Sequence, residues 1–334
     1  MGSGGRVEML LAIVVALYLS AAITEAQVLH VGFYSYSCPQ AESIVKEAFD
    51  DALEDDPGIG ADLLRMHFHD CFVRGCDGSV LIDSTKGNTA EKDAEINQTV
   101  EDEAFQVIDK AKKKLEAVCK GVVSCADILA FVARDSVAHV TFSDSTFYGG
   151  IFYEVPAGRR DGRISRSVDT ADLPTPDLDL ARLTKFFARK RLSQNDMIIL
   201  SGAHTIGVAH CPAFSNRLYN FSQSSSRDPT LDARYAAQLK KECPPGSNNE
   251  VNMDPPSPLV FDTSYYRGIL KNRGLFSSDQ TLVSTTSSAA KVTLLASNSE
   301  VFKTEFAAAM VKMGGIGVHT GRKGEIRGNC RVVN

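Results

Sequence analysis

Arg65-Met66-His67-Phe68-His69-Asp70-Cys71 decides how the rest of this chain is read. In a helix, Arg65 and His69 are four residues apart and share a face, with Phe68 beside them. A permanent cation, a base that titrates near neutral pH and an aromatic wall then look into one space. That set suits heterolysis of an O–O bond. The imidazole takes a proton from one oxygen and returns it to the other, while the guanidinium stabilises the charge that develops. A buried helix with a hydrogen-bonded His and a solvated Arg would use the same residues without chemistry. The choice between the two depends on the rest of the chain.

A second stretch, Leu200-Ser201-Gly202-Ala203-His204-Thr205-Ile206-Gly207, places a His among small residues at the end of a helical run. Small neighbours let a flat, bulky group approach closely, and a neutral imidazole can ligate a metal such as iron. A His favoured by the helix dipole is the plainer reading of this stretch alone.

Residues 1–26 read as a cleaved leader. Arg6 gives a positive start, Met9 to Ala22 is a nearly unbroken apolar run, and Thr24-Glu25-Ala26 ends in small residues, leaving Gln27 first. The run is short for a membrane span, and no second run of that kind follows. The whole chain carries −5. The leader holds Arg6, Glu8 and Glu25, so the remainder is less acidic by one charge. No basic patch dominates, which argues against nucleic acid as a partner. All eight cysteines (38, 71, 76, 119, 125, 211, 243 and 330) follow the leader. An even count in an exported chain reads as four disulfides, and the irregular spacing without a C-x2-C pair disfavours zinc. Spacing alone supports only Cys71–Cys76, which would close a short loop beside His69.

Helical patterns dominate. Ser37-Cys38-Pro39 reads as a start with Pro39 in the first turn, followed by Ala41, Ile44, Val45, Ala48, Phe49 and Ala52 at helical spacing. Ser124 with Asp127 resembles a capping box opening residues 125–138, and Ser193 with Asp196 opens another helix. Thr304–Met313 reads as a helix stopped by Gly314-Gly315. Strand alternation is scarce, with short pairs expected near Phe152–Val155 and Glu325–Arg331. Proline-rich stretches at 173–176, 244–246 and 255–258 read as turns or extended loops.

The stretch R-M-H-F-H-D-C-F-V-R-G-C-D from Arg65 to Asp77, with L-S-G-A-H-T-I-G from Leu200 to Gly207, resembles the distal and proximal haem segments of secretory plant peroxidases, the class III or horseradish type. The resemblance runs from Gln27 to Asn334. It implies one mainly α domain over 27–334, the haem peroxidase fold, with two helical lobes enclosing a haem, few short strands and four disulfides. The remaining pairs it implies are Cys38–Cys119, Cys125–Cys330 and Cys211–Cys243. The link from Cys125 to Cys330 closes a very long loop, which the chain-entropy model values at about 4–5 kcal/mol.

The resemblance also assigns roles. His204 would bind the iron of one haem b. Asp279, in Gly274-Leu275-Phe276-Ser277-Ser278-Asp279-Gln280, would stand behind it, since a metal-bound His usually has a carboxylate on its far nitrogen. Ala90-Glu91-Lys92-Asp93 followed by Asn97 matches the distal support: Asn97 would accept the other N–H of His69, and Glu91 would carry the network toward a cation. Asn97 lies in a glycosylation sequon, but a buried supporting residue cannot carry a glycan, so Asn220 is the expected acceptor. Asp70, Val73, Gly75, Asp77 and Ser79 bring oxygen ligands within ten residues, which suits Ca²⁺ and is not an EF-hand. Thr205, Asp254, Ser257, Val260 and Asp262 resemble the family's proximal Ca²⁺ site, giving two Ca²⁺ ions in all. Asp127 and Arg159 resemble a buried ion pair. Pro174 and Phe68 are the candidate donor contacts at the haem edge.

This chain departs from the pattern in places. It contains no Trp, and Tyr153 stands where relatives usually have one. Glu95, Asp177 and Ala213 replace aromatics around the substrate channel of some relatives. The sequence stops four residues after Cys330, so a vacuolar sorting tail is not expected. The implied protein is a secreted monomer of the cell wall, with no membrane partner after leader cleavage. It would reduce H2O2 to water and oxidise small phenolic donors by single electrons. An inactive glycan-binding relative is disfavoured by the intact Arg65, His69, Asn97, His204 and Asp279. A Ca²⁺-dependent hydrolase is disfavoured because no G-x-S-x-G element occurs.

Overall fold

The computed structural model describes residues 28–334 except 140, 144, 145 and 149. The leader expected at 1–26 lies outside the described residues.

The chain opens with four helices: α1 (Ala41–Asp55), α2 (Ile59–Val73), α3 (Asp102–Val118) and α4 (Cys125–Ala138). α1 begins two residues after Pro39, because residues 38–40 are spent in a turn in which Ala41 N donates to Cys38 O (2.9 Å). Gly58 and Gln40, the residues before α2 and α1, make no side-chain cap, so packing rather than capping fixes both starts. α4 is capped as its sequence predicts: Ser124 Oγ accepts from Asp127 N (3.1 Å). Asp127 does not complete the box. Its carboxylate turns inward, accepting from Tyr34 OH, Gly158 N and Arg159 Nη1, each at 2.7 Å. The Arg159 contact is the expected buried ion pair.

α2 packs on α4, and α1 on α3 and α4. A second helical group holds α5 (Leu180–Arg189), α6 (Gln194–Leu200), α9 (Ser264–Leu270), α10 (Ser277–Gln280), α11 (Thr286–Ser297) and α12 (Ser299–Met313), in which α6 meets α11 and α12. Ser193 and Asp196 form the reciprocal box at α6. α12 starts five residues before Thr304, where Asn298 caps it. One core cluster runs through both groups. A smaller one, around Phe214, Leu218, Tyr235 and Leu239, sits under α7 (Ser215–Tyr219) and α8 (Ala233–Glu242).

Two antiparallel pairs of three-residue strands occur, β1 (Thr141–Ser143) with β2 (Thr146–Tyr148), and β3 (Val208–His210) with β4 (Glu250–Asn252). The short strand pairs expected near Phe152–Val155 and Glu325–Arg331 do not form. Residues 152–155 have no ladder, and Glu325 instead makes a single bridge with Asp161. The β3/β4 pair was not expected; it pairs Ala209 with Val251 at its centre, next to the Cys211–Cys243 disulfide. All four implied disulfides are present, with sequence separations of 81, 5, 205 and 32. Cys125–Cys330 ties the C-terminal segment to the first residue of α4. Among the described residues no helix is long and apolar enough to cross a membrane.

Candidate active site

α2 carries Arg65 and His69 one turn apart on one face, and Arg65 Nε donates to His69 Nε2 (3.3 Å). The opposite ring nitrogen, Nδ1, donates to Asn97 Oδ1, and Asn97 Nδ2 in turn donates to Glu91 O (2.6 Å). That chain of bonds fixes one tautomer: hydrogen on Nδ1, lone pair on Nε2. Burial, reinforced by the nearby Arg65 charge and opposed by Asn97, pushes His69 down to about 3. His69 is therefore neutral and able to take a proton at Nε2. Arg65 is tied by its other nitrogens to Thr99 O (3.0 Å), Thr99 Oγ1 (2.8 Å) and Ile96 O (2.9 Å). Thr99 was not anticipated as a partner of Arg65; the sequence marks it only as the third residue of the sequon at Asn97. Asn97 is 2% exposed, which rules out glycosylation there, whereas Asn220 is exposed.

His204 lies in a 3-10 turn, Ser201–Thr205, that continues α6. Its Nδ1 is 2.8 Å from Asp279 Oδ1. The Asp279 carboxylate is buried and also accepts from Tyr265 OH (2.9 Å) and Phe276 N (2.8 Å). Burial would raise this acid; the His204 charge and hydrogen bond and the Phe276 N–H outweigh it and hold Asp279 below the usual carboxylate range. The turn before α10 is itself gripped by the buried Arg217. This side chain pairs with Asp228 (2.8 Å) and donates to the carbonyls of Leu275 (2.8 Å) and Phe276 (3.0 Å). Neither Tyr265 nor Arg217 was visible in the sequence, since both reach the site through tertiary packing.

The small residues around His204 serve a different purpose from the one expected. A Cβ on Gly202 would stand 2.5 Å from Tyr266 OH and 2.6 Å from Phe302 Cε2, so Gly202 admits the core, not a ligand. Gly207, at φ +88°, lets the proximal segment touch the first turn of α2, where its Cβ would be 2.8 Å from that of Ala61. A narrow cleft is lined by Gly58, Gly60 and Ala61 from the start of α2 and by Ile206 and Gly207 from the proximal stretch. The end of the proximal stretch thus meets the start of α2, and neither His69 nor His204 lines the cleft between them.

Comparison with known proteins agrees with this geometry. Residues 43–298 match the family model described as Peroxidase. Peroxidase 5 of Vitis vinifera is 56% identical over 326 residues, covering 96% of each chain. Peroxidase 3 of Arabidopsis thaliana is 46% identical, covering 97% of this chain and 98% of its own. Peroxidase 1 of Oryza sativa subsp. japonica is 45% identical, covering 96% and 98%.

The chain belongs to the plant class III peroxidases.

This peroxidase thus uses haem to reduce H2O2 at the expense of an electron donor. Its residues fit the group. The His204 side chain is 39% exposed although its Nδ1 is fixed, and Nε2 has no hydrogen-bond partner among the described residues, which suits a ligand to iron. Phe68 is half-buried beside His69 and packs on Phe72 with the rings tilted by 39° (centroids 4.3 Å apart). Pro174 is half-buried in a loop whose Pro176 carbonyl accepts from Ser278 N (2.9 Å), so that loop is anchored next to Asp279.

Two oxygen-rich clusters abut the two histidines. Among the described residues no three acidic, His or Cys side chains gather in metal-binding geometry, so a cation would depend on hydroxyls and carbonyls as well. On the distal side Asp70 and Asp77 are buried together. Burial and then the Asp77 charge drive Asp70 well above the usual carboxylate range. Ser79 Oγ donates to Glu91 Oε2 (3.3 Å), while Glu91 Oε1 is buried without a partner. Burial, with the charges of Asp70 and Asp77, pushes Glu91 up to about 9. A crowd of buried oxygens short of positive charge fits a hard cation. The Gly75 carbonyl accepts from Asp77 N (2.7 Å) and the Val73 carbonyl from Lys190 Nζ (3.1 Å), leaving each one lone pair to offer. On the proximal side Thr205 Oγ1 reaches Asp254 (3.0 Å) and Asp262 (3.4 Å). Ser257 Oγ meets Ser264 Oγ (2.6 Å), and Val260 N donates to Ser257 O (3.0 Å). Ser264, which also donates to Asp254, is a member the sequence did not reveal.

Proposed function

We propose that this peroxidase is exported and acts on small phenolic donors, with His69 and Arg65 driving the peroxide step. Held by His204, a haem would supply the two electrons that peroxide cleavage needs, and phenolic donors would return them one at a time. His69 Nε2 takes the proton from the peroxide oxygen nearer the iron and delivers it to the outer oxygen, which leaves as water. Asn97 holds the ring so that Nε2 keeps its lone pair, and Arg65 stabilises the charge on the departing oxygen. His204 would hold the iron through Nε2, and Asp279 draws its Nδ1 proton, which would make the ring a stronger donor. Phe68 and Pro174 line the approach of the phenol, whose hydroxyl proton and electron leave together.

The distal oxygens of Asp70, Val73, Gly75, Asp77 and Ser79, with Glu91 behind them, would hold one Ca²⁺. Those of Thr205, Asp254, Ser257, Val260 and Asp262 would hold a second. Residues 1–26 would be the leader, Asn220 a glycan acceptor, and the working form a monomer in the cell wall. Exposed Glu95, Asp177 and Ala213 give the donor approach a less aromatic rim than relatives with rings there, which favours small donors over stacked ones.

One observation carries this reading: each His has Nδ1 committed to a fixed oxygen, with Nε2 turned to Arg65 in His69 and left for iron in His204. The test is the absorption spectrum of the purified protein with H2O2 and then a phenol. A Soret band that shifts with peroxide and returns with the phenol is expected. A Soret band unmoved by peroxide would overturn the assignment of His69 and Arg65.

A further inference from the structure

Peroxide oxidises accessible Cys and Met, and phenoxyl radicals take hydrogen from accessible phenols and electrons from indoles. Among the described residues such side chains are put out of reach, with one exception. No Cys is free, and Trp is absent from the whole sequence. Met66, Met197, Met253, Met310 and Met313 are buried. So are Tyr34, Tyr153, Tyr235, Tyr265 and Tyr266, while half-buried Tyr219 donates its hydroxyl to Cys243 O (2.8 Å). The exception is Tyr36, which is 99% exposed, and its hydroxyl has no hydrogen-bond partner among the described residues. The turn that presents it is fixed. Gly32, at φ +72°, makes the bend, Ser35 N donates to Gly32 O and Cys38 N to Tyr34 O, both at 2.9 Å, and Cys38 is bonded to Cys119. Two residues earlier Tyr34 points inward, its hydroxyl donating to Asp127 (2.7 Å), whereas Tyr36 stands between the exposed Ser35 and Ser37 with no bulky chain neighbour to shield it.

We propose that Tyr36 is a self-modification site, at which a small phenolic donor becomes covalently attached to the enzyme that oxidises it. This rests on the phenolic donors of the reading above. Each H2O2 reduced to water takes one hydrogen atom from each of two donor phenols and leaves two phenoxyl radicals. One of them takes the hydroxyl hydrogen of Tyr36 and becomes phenol again. Exchange between two phenols is close to thermoneutral, so it needs contact with a diffusing radical and not proximity to the haem. The second phenoxyl radical then couples to the Tyr36 radical through ring carbons beside the two oxygens, and the displaced ring hydrogens return to those oxygens. The sum is Tyr36 plus one donor plus H2O2, giving the joined rings and two waters: the peroxide O–O bond breaks, a carbon–carbon bond forms, and peroxide is the only oxidant consumed. The donor is the partner rather than a second copy of the chain, because donor radicals arise in every turnover from a reagent in excess over enzyme. Coupling two copies would need two Tyr36 radicals at once on chains of net charge −5 that repel each other.

Peptide mass mapping of the haem-loaded enzyme after turnover with H2O2 and tyramine, a simple phenol, tests this. After reduction and proteolysis, the peptide holding Tyr34 and Tyr36 should gain the mass of one tyramine less two hydrogens, and fragmentation should place the gain on Tyr36. Tyr36→Phe, a change at an exposed side chain away from the site, should oxidise tyramine at the wild-type rate while the adduct falls to the level of enzyme given no peroxide. Tyramine consumed with no adduct on Tyr36, an adduct spread over the other tyrosines, or an undiminished adduct in Tyr36→Phe overturns the proposal and leaves the donor reading intact. Chains joined through two Tyr36 rings in place of the tyramine adduct overturn the choice of partner. Tyramine left unconsumed overturns the donor reading and this proposal with it.

Discussion

His69 and His204 each commit Nδ1 to a fixed oxygen, but the oxygens differ in charge and in distance along the chain. His69 gives its proton to a neutral amide 28 residues away, in a segment that follows the same helix. His204 gives its proton to a buried carboxylate 75 residues away, itself held by Tyr265 and by the turn that Arg217 grips. A neutral acceptor fixes the tautomer without adding basicity, and burial does the rest, so the distal ring stays an uncharged base. An anionic acceptor pulls the proximal ring toward imidazolate and makes it a stronger electron donor. On the proposed roles, one ring would move protons and the other would hold a metal.

The sharpest way to break this division is to remove each ring. His204→Ala takes away the strong protein bond to iron, so the variant should purify without stable haem and without a Soret band. Retention of a normal band and full activity would refute the proximal assignment. His69→Leu should keep its haem but consume peroxide about 10²–10⁴-fold more slowly, the usual worth of a general acid–base group. Arg65→Leu should be slower than wild type by a smaller factor, since only charge stabilisation is lost. Stopped-flow rates rank the three, and a wild-type rate in His69→Leu would end the distal mechanism.

Chelation tests whether the two sides share a mode of support. Asp70 follows His69 directly and Thr205 follows His204 directly, so each proposed ion pins a catalytic ring through one peptide link. A ring displaced by about 1 Å can cost on the order of 10²-fold in rate. The four disulfides would still constrain the chain. Activity should therefore fall before the far-ultraviolet helix signal does. Full activity in protein shown by metal analysis to be free of Ca²⁺ would remove the coupling, and simultaneous loss of both signals would assign the ions to the fold.

The difference between the two sides also explains what was legible. Arg65 and His69 are four apart on one helix, so their shared face follows from helical period alone. Ser124 and Ser193 cap their helices through bonds three residues long, and both are readable for the same reason. Asp279 came only from resemblance, and Tyr265 and Arg217 from nothing in the sequence, because they meet His204 through packing between distant segments. Gly202 shows the limit most clearly: its smallness was read as room for a ligand, and the space is filled by Tyr266 and Phe302. The three-residue strands β3 and β4 are too short to alternate, so no period could announce them.

The smallest expected effects probe the carboxylate that distinguishes the proximal side. Asp279 Oδ1 is shared by two donors, His204 Nδ1 at 2.8 Å and Tyr265 OH at 2.9 Å. Asp279→Asn removes the anion, makes the ring less electron-rich and should raise the iron reduction potential while haem is retained. Tyr265→Phe removes only the competing donor. The carboxylate then has one donor fewer to satisfy at Oδ1, its bond to His204 strengthens, and the ring gains imidazolate character. The potential should move the opposite way, downward, and by less, because a single hydrogen bond is worth about 1 kcal/mol where the carboxylate carries a full charge. Spectroelectrochemical titration of both variants against wild type decides it. A Tyr265→Phe shift of the same sign as Asp279→Asn would mean that Tyr265 orients the carboxylate rather than competing for it, and the proximal side would then depend on geometry as much as on charge.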